Sequence, residues 1–261
     1  QSIVKKIAIT ILKFLLRLIS LDTIKSEYQL NFLNTEGYFT SQSNKDYHRK
    51  YMERCKDFKV FYTGVDLEDF QFLENTIEPD MVRLLYVGRI SADKGFLLLI
   101  NQLVYLRSKS NINFSLRVIG DYFNLQEQKN VRAALSESGL SSYVIFEGQI
   151  ERAYLYKYYQ QADFTIFPSI CEEAFSRIPL ESMSCGTPCL STDNPGSKEL
   201  FELCAPLLYL SREKDGLLNA IEPFLHNEGE YKNMCYQGRK FIEESFTFDH
   251  FMKQVQNNFL D

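Results

Sequence analysis

The chain has 261 residues, 45% of them hydrophobic, which is enough apolar material for one or two ordinary cores. Its formal net charge at pH 7 is −5, whereas a nucleic-acid-binding protein normally carries a basic face, so we expect no nucleic-acid partner. The six cysteines form no C-x-x-C pair and the three histidines lack zinc-ligand spacing. We therefore expect reduced, buried thiols, no metal site and a cytoplasmic protein.

Residues 3–19 are strongly apolar but include cations such as Lys13 and Arg17. Their polar residues recur every three or four positions, which is one stripe of a helix. The segment is shorter than the roughly 20 mainly apolar residues of a bilayer span, and it has no small-residue cleavage site. Two interpretations stay open: the helix packs on a first domain, which we favour, or it makes a peripheral contact with the inner face of a membrane.

Residues 1–77 are predicted to be the remnant of a first domain, followed by a linker to the next one. The residues at 38–41, Tyr-Phe-Thr-Ser, predict a strand, and a helical pattern follows at 44–54. The chain begins with Gln instead of Met, so we expect most of that first domain to lie outside it. Residues 74–80 are polar and contain a proline, which is typical of a linker.

From residue 78 to 245, short apolar runs alternate with helical patterns. The runs that predict strands lie at 83–87, 114–119, 143–147, 164–167, 188–191 and 207–210. The predicted helices lie at 96–107, 125–138, 153–162, 178–184, 213–226 and 228–244. This alternation predicts an α/β domain with a doubly wound parallel sheet, in which ligands bind beyond the carboxyl ends of the strands.

The first of these strands ends in a basic loop that contains Gly88, Arg89, Lys94 and Gly95. Loop amides and the N-terminus of the next helix can donate hydrogen bonds to a phosphate, while arginine binds two oxygens and lysine adds a point charge. Taken alone, the pattern fits a phosphate-binding loop or a solvated turn equally well.

The strand at 164–167 is followed by an acidic loop and a short helix. Glu173 lies in the loop and Glu181 on the helix, so both carboxylates can face one pocket. A carboxylate accepts two hydrogen bonds side by side, which suits the hydroxyls of a ribose or hexose. The amides of residues 174–176 can hold an anion at the helix N-terminus. Because most acidic pairs are simply solvated, the spacing alone is weak evidence.

Both loops resemble the retaining family-4 glycosyltransferases of the GT-B fold, chiefly their C-terminal donor-binding domain. The basic loop reads G-R-x-x-x-x-K-G over 88–95, and the acidic one reads E-AFSRIPL-E followed by SMSCGTP over 173–188. The resemblance continues in the right order across 59–244. One loop departs from the family's Gly-Asp-Gly-Pro, since residues 120–123 read Gly-Asp-Tyr-Phe, and we assign no donor contact there.

The resemblance implies transfer of a hexose, with retention, from a UDP- or GDP-type sugar to a glycan or lipid-linked acceptor in surface polysaccharide synthesis. It implies three catalytic residues: Arg89 and Lys94 stabilise the leaving diphosphate, and Glu173 orients the sugar. The implied donor-binding residues are Gly88, Arg89, Lys94, Gln149, Ile150, Glu173, Ala174, Phe175, Ser176 and Glu181, the last on the ribose hydroxyls. The resemblance also implies that no metal or other cofactor is needed, and that a helix at 246–261 crosses back to the first domain.

Two alternatives remain beside this interpretation. The chain could be a non-catalytic subunit that binds a nucleotide sugar or serves assembly. It could also carry another GT-B chemistry, such as that of an epimerase or a phosphorylase. A phosphorylase requires a pyridoxal lysine site that the sequence does not reveal, and an epimerase would lack the loop with Glu173 and Glu181.

Overall fold

The computed structural model describes residues 36–49, 57–203 and 206–259, which fall into two compact units divided between Val60 and Phe61. The segment at 3–19 lies outside the described residues. Within the described ranges, no helix has both the length and the apolar character needed to cross a membrane.

The first unit contains a two-stranded parallel sheet. Strand β1, Glu36–Phe39, pairs with β2, Asp57–Val60, and helix α1, Gln42–Arg49, connects them. The helix begins two residues before its predicted start because Ser41 caps it, accepting a hydrogen bond from the Asn44 amide at 3.0 Å. The rest of the predicted helix lies outside the described residues.

The second unit contains the predicted doubly wound sheet, and all its strand pairs are parallel. Its strands are β3 (Met81–Val87), β4 (Asn113–Ile119), β5 (Val144–Gly148), β6 (Phe164–Phe167), β7 (Cys189–Ser191) and β8 (Leu208–Tyr209). They form one six-stranded sheet in the order β5-β4-β3-β6-β7-β8. The chain therefore builds outward from β3 in one direction, then returns and continues outward from β6. This reversal creates a topological switch point between β3 and β6, where such sheets bind ligands.

Helices cover both faces of the sheet. They are α2 (Phe96–Lys109), α3 (Leu125–Glu137), a 3-10 turn (Arg152–Tyr154) continuing into α4 (Leu155–Gln161), α5 (Arg177–Ser184), α6 (Pro195–Glu202), α7 (Gly216–Leu225), α8 (Glu228–Ser245) and α9 (Phe248–Phe259). Helix α7 begins three residues later than predicted. The buried Gln102 binds the carbonyls of Ser211 and Glu213 at 2.6 and 2.8 Å, so the chain before Gly216 takes a non-helical path.

Each face of the sheet has its own apolar core. Along β3, Leu84 and Tyr86 belong to one core while Leu85 belongs to the other, because side chains alternate along a strand. Strand residues that are buried on both faces are apolar without alternation, as at 84–86 in β3, which is why this part of the strand was predictable as a continuous run. Asp163, just before β6, is fully buried and bridges to Arg83 of β3, so the two central strands are also tied together by charge.

Candidate functional site

The loops after β3 and β6 meet at the switch point and touch through their backbones. The amides of Ile170 and Cys171 both donate to the carbonyl of Asp93 at 3.0 Å. Gly95, at the N-cap of α2, has a φ of 72°, and a Cβ placed there would lie 1.8 Å from the carbonyl oxygen of Pro168. Glycine is therefore required for both its conformation and its size.

A cavity of about 180 Å³ opens beside this contact. The residues that line it are Tyr86, Val87, Gly88, Arg89, Lys94, Phe167, Glu173, Ser176 and Ile178. Five residues predicted for donor binding thus share one cavity, and they come from both loops. The basic loop supplies three of them and the acidic loop supplies Glu173 and Ser176.

Lys94 and Glu173 form an ion pair across the two loops. The Ser169 hydroxyl donates to the same carboxylate oxygen, Oε1 of Glu173, at 2.7 Å, and the Cys171 sulfur lies 3.5 Å from both charged groups. Burial by itself lowers the pKa of Lys94, but its hydrogen bond to Glu173 and the charge of that carboxylate outweigh burial and raise the pKa above its usual value. Lys94 is therefore cationic throughout the neutral range.

Arg89 is held at the cavity mouth by two neighbours. One of its terminal nitrogens donates to Oδ2 of Asp93 at 2.8 Å, and its guanidinium carbon lies 4.6 Å from the centre of the Phe123 ring. Burial raises the pKa of Asp93, but the hydrogen bond from Ser91 and the charge of Arg89 prevail and lower it. The Arg89 side chain is 45% exposed, so it can still reach a ligand.

Glu181 has partners of its own and is not among the residues that line the cavity. Its Oε1 lies 3.0 Å from a terminal nitrogen of Arg152 and 3.5 Å from Nε of Arg177, and its Oε2 accepts from the Tyr159 hydroxyl at 3.2 Å. Burial raises the pKa of Glu181, and the charge of Arg152 and the Tyr159 hydrogen bond oppose that rise only in part. Two arginines thus face Oε1 of this carboxylate, and Oε2, which accepts one hydrogen bond, keeps a further acceptor position.

The backbone of the acidic loop is fixed by α6. The amide of Gly196 donates to the carbonyl of Glu173 at 3.0 Å, and a Cβ at Gly196 would lie 2.9 Å from the carbonyl oxygen of Ala174. Phe175 packs against Tyr62, with ring centres 5.1 Å apart. Ala174 and Phe175 therefore anchor the loop, and neither side chain lines the cavity.

Two of the predicted donor-binding residues, Gln149 and Ile150, follow β5, where the family resemblance implies that main-chain groups hold the nucleotide base. Gln149 is exposed, and Ile150 packs against the core that contains Leu85. Neither side chain lines the cavity. A base contact there would have to use main-chain groups, as the resemblance implies.

Sequence reasoning missed several residues that hold the site together. Arg177 pairs with Glu181 at a spacing of four residues on α5, which is a recognisable local signal on a helix, whereas Asp93 pairs with Arg89 inside the basic loop, where that spacing has no such meaning. Arg152 left no comparable signal, because it lies 29 positions from its partner. In the described part of the chain, no cluster of three or more His, Cys, Asp or Glu side chains could hold a metal ion.

A doubly wound parallel sheet with facing basic and acidic loops at its switch point defines an α/β domain of the class that binds ligands in this crevice. The chain belongs to the glycosyl transferases group 1 family, whose model matches residues 68–241. The predicted glycosyltransferase family is thereby confirmed at the level of group 1, and so is the GT-B type of fold, while family 4 and retention stay predictions.

Named relatives support the same family. The chain is 28% identical, over 200 residues, to the lipopolysaccharide 1,2-N-acetylglucosaminetransferase of Salmonella typhimurium, covering 70% of this chain and 50% of the relative. It is 26% identical to a D-inositol 3-phosphate glycosyltransferase of Paenarthrobacter aurescens, covering 51% of this chain and 34% of that one. The chain thus spans about half, or less, of the length of these relatives.

Solved structures share the fold. Anabaena Alr3699/HepE in complex with UDP and glucose superposes with a TM-score of 0.74 at 19% identity, covering 84% of this chain and 61% of that one. The C-terminal domain of the group 1 glycosyltransferase LpcC from Francisella tularensis superposes with a TM-score of 0.59 at 20% identity, covering 70% of this chain and 99% of that domain. At these identities the likeness establishes the fold alone.

Proposed function

We propose that this chain binds a nucleoside-diphosphate sugar for a glycosyltransferase that moves a hexose, with retention, to a glycan or lipid-linked acceptor in surface polysaccharide synthesis. The observation that carries the proposal is the pair formed by Lys94 and Glu173 in a cavity at the switch point, with Arg89 at its mouth. The names of the Salmonella relative and of HepE with its UDP and glucose point to the same class of donor and product.

The two cations have a direct role in this reaction. When the bond between the sugar carbon and the diphosphate breaks, negative charge grows on the departing phosphate oxygens. Arg89 and Lys94 would stabilise that charge, and they are already held in place by Asp93 and Glu173. Because these cations are held in place before the reaction, little free energy is spent on reorienting them as the bond breaks.

Lys94 can bind a phosphate without leaving Glu173. A lysine ammonium has three N–H donors, and those of Lys94 have the Glu173 carboxylate and the Cys171 sulfur as partners. One donor remains for a phosphate oxygen. Glu173 likewise keeps its second oxygen, Oε2, for a sugar hydroxyl. The ion pair can therefore contact the diphosphate through Lys94 and the hexose through Glu173.

Glu181 would bind the ribose through its remaining acceptor position, on Oε2. The proposed reaction needs no metal ion, because Arg89, Lys94 and the N-terminus of α5 offset the charge of the diphosphate.

Calorimetric titration with UDP-, GDP- and ADP-sugars tests the proposal. We expect the wild-type chain to bind at least one of them and Lys94→Met to bind it roughly ten- to a hundredfold more weakly, since hydrogen bonds to charged groups contribute about 1.5–3 kcal/mol. Lys109→Met is the matched control, because Lys109 is exposed at the opposite end of α2. Unchanged affinity in Lys94→Met would remove the proposed role.

Incubation with a labelled donor and analysis of the products then separates transfer from binding alone. Label that appears on an acceptor supports a transferase. Binding without any transfer of label would instead indicate a subunit that holds the nucleotide sugar without catalysis.

A further inference from the structure

Arg152 occupies a position to which neither the motifs nor the cavity assigns a role. It lies in the 3-10 turn after β5, and its terminal nitrogen is 3.0 Å from Oε1 of Glu181. Its guanidinium carbon lies 5.2 Å from the centre of the Phe70 ring. An aromatic face of this kind attracts a cation, so the ring and the carboxylate fix the arginine from two directions.

Glu181 is an unusual place for a full negative charge, because its side chain is only 7% exposed. The titratable and charged groups around it are Arg152 of the 3-10 turn, Arg177 of α5, Cys185 just after that helix, Tyr159 of α4, and Arg239 of α8, which binds the carbonyl of Ser184. Among the distances to Glu181, that of Arg152 is the shortest. Arg177 approaches only through Nε at 3.5 Å, and that nitrogen makes no hydrogen bond.

A buried carboxyl group tends to keep its proton, and a protonated acid offers fewer acceptor positions to a sugar hydroxyl. We propose that Arg152 is a positioning residue for the donor, which orients Glu181 and keeps it as a carboxylate able to accept a hydrogen bond from the ribose. This inference rests on the proposed function, because it takes the ribose of a nucleotide sugar as the ligand of Glu181.

The balance of forces on Glu181 agrees with this role. Burial raises its pKa, and the charge of Arg152 is the largest influence in the opposite direction. The Tyr159 hydroxyl contributes in the same direction as Arg152 but more weakly. Removing the guanidinium charge therefore leaves burial largely unopposed.

The first experiment needs no nucleotide. The carbon-13 signal of the Glu181 carboxyl group, assigned by its loss in Glu181→Gln, is followed against pH in the wild-type chain and in Arg152→Met. We expect the midpoint to rise by about one pH unit in Arg152→Met, the lower end of the range for a nearby opposite charge because the arginine is partly exposed. In Arg152→Lys, which keeps the positive charge, the midpoint should lie close to that of the wild-type chain.

Arg107→Met is the matched control for this titration. Arg107 also stacks on an aromatic ring, that of Tyr143 at 4.8 Å, and it donates to the carbonyl of Gly139 at 2.7 Å, but it has no contact with Glu181. It should leave the midpoint where it is in the wild-type chain. An unchanged midpoint in Arg152→Met, or an equal shift in Arg107→Met, overturns the electrostatic role of Arg152.

The second experiment measures nucleotide affinity by calorimetry between pH 5 and 8, with UDP, GDP and ADP as probes. We expect Arg152→Met to lose up to about tenfold in affinity at pH values below the wild-type midpoint, and the loss to shrink as pH rises. The nucleotide phosphate ionises in the same way with every variant, so a difference in affinity between variants reflects ionisation of the protein.

The two experiments separate the possible failures. A shifted carbon-13 midpoint without a change in affinity against pH overturns the link between Glu181 and the ribose, while donor binding itself stands. A wild-type chain that binds none of the three nucleotides overturns the proposed function, and with it the donor role of Arg152.

Discussion

The contact between the two site loops can be tested at Gly95. Gly95→Ala adds one methyl group where the carbonyl oxygen of Pro168 lies 1.8 Å away. Because a real Cβ keeps at least 3.0 Å from such atoms, one loop must move by about 1.2 Å, the difference between the two distances. The movement would separate Lys94 from Glu173, so the substitution is expected to weaken nucleotide binding as well as the fold.

The cost of Gly95→Ala has two parts. A left-handed conformation, here at a φ of 72°, costs a residue other than glycine about 1–2 kcal/mol. Moving the loops apart would also break the two hydrogen bonds to the Asp93 carbonyl, each of which contributes about 1 kcal/mol to stability. A loss of roughly 3–4 kcal/mol corresponds to a fall of roughly 6–16 °C in Tm for a unit of this size.

Differential scanning calorimetry of Gly95→Ala and Gly148→Ala measures this difference. Gly148 has nearly the same φ, 73°, but no atom lies within 4 Å of the position of its missing Cβ. Gly148→Ala should therefore lose only the conformational part, about 1–2 kcal/mol. Equal losses of stability in the two variants would refute the claim that the loops are held by close backbone contact.

Three further predictions concern the site. Ser169→Ala removes the hydroxyl that donates to Glu173, so nucleotide affinity should fall about tenfold, whereas Ser182→Ala, equally buried and hydrogen-bonded to Thr165, should lower stability alone. Chelation with EDTA should leave the rate of sugar transfer unchanged, and a loss restored by Mg²⁺ or Mn²⁺ would contradict the proposed mechanism. Burial raises the pKa of Glu181 in the folded chain above its value in the unfolded chain. The free energy of unfolding should therefore fall as the pH rises between these two pKa values, because the folded state holds its proton longer. Thermal melts of Glu181→Gln should lack that fall in stability. A difference in Tm between Glu181→Gln and the wild type that does not change with pH would refute the prediction.

The sheet was predictable because its strands carry a strong local signal. Residues 84–86 of β3 are buried on both faces of the sheet, so they form an apolar run that can be recognised without knowledge of the partner strands. The order of the strands was not predictable in the same way, since it depends on contacts between residues far apart in sequence. The late start of α7 has such a cause, because Gln102 in α2 binds the carbonyl groups before it.

The same distinction applies to the site. The basic and acidic loops were recognisable because each is one short segment, and the structure joins them through Lys94 and Glu173. The environment of Glu181 was hidden, since Arg152 reaches it from another strand end. That Arg89, Lys94, Glu173 and Glu181 all meet one nucleotide sugar stays a prediction.

The arrangement of charges explains how a partly buried lysine keeps its charge in this cavity. Burying the ammonium group of Lys94 alone would favour its neutral form, which binds phosphate poorly. Glu173 raises the pKa of Lys94 and so preserves its charge. The hydrogen bonds to the Asp93 carbonyl and the close approach at Gly95 hold together the two loops that carry this ion pair. Close backbone contact between the two loops therefore keeps the Lys94 ammonium group beside the Glu173 carboxylate.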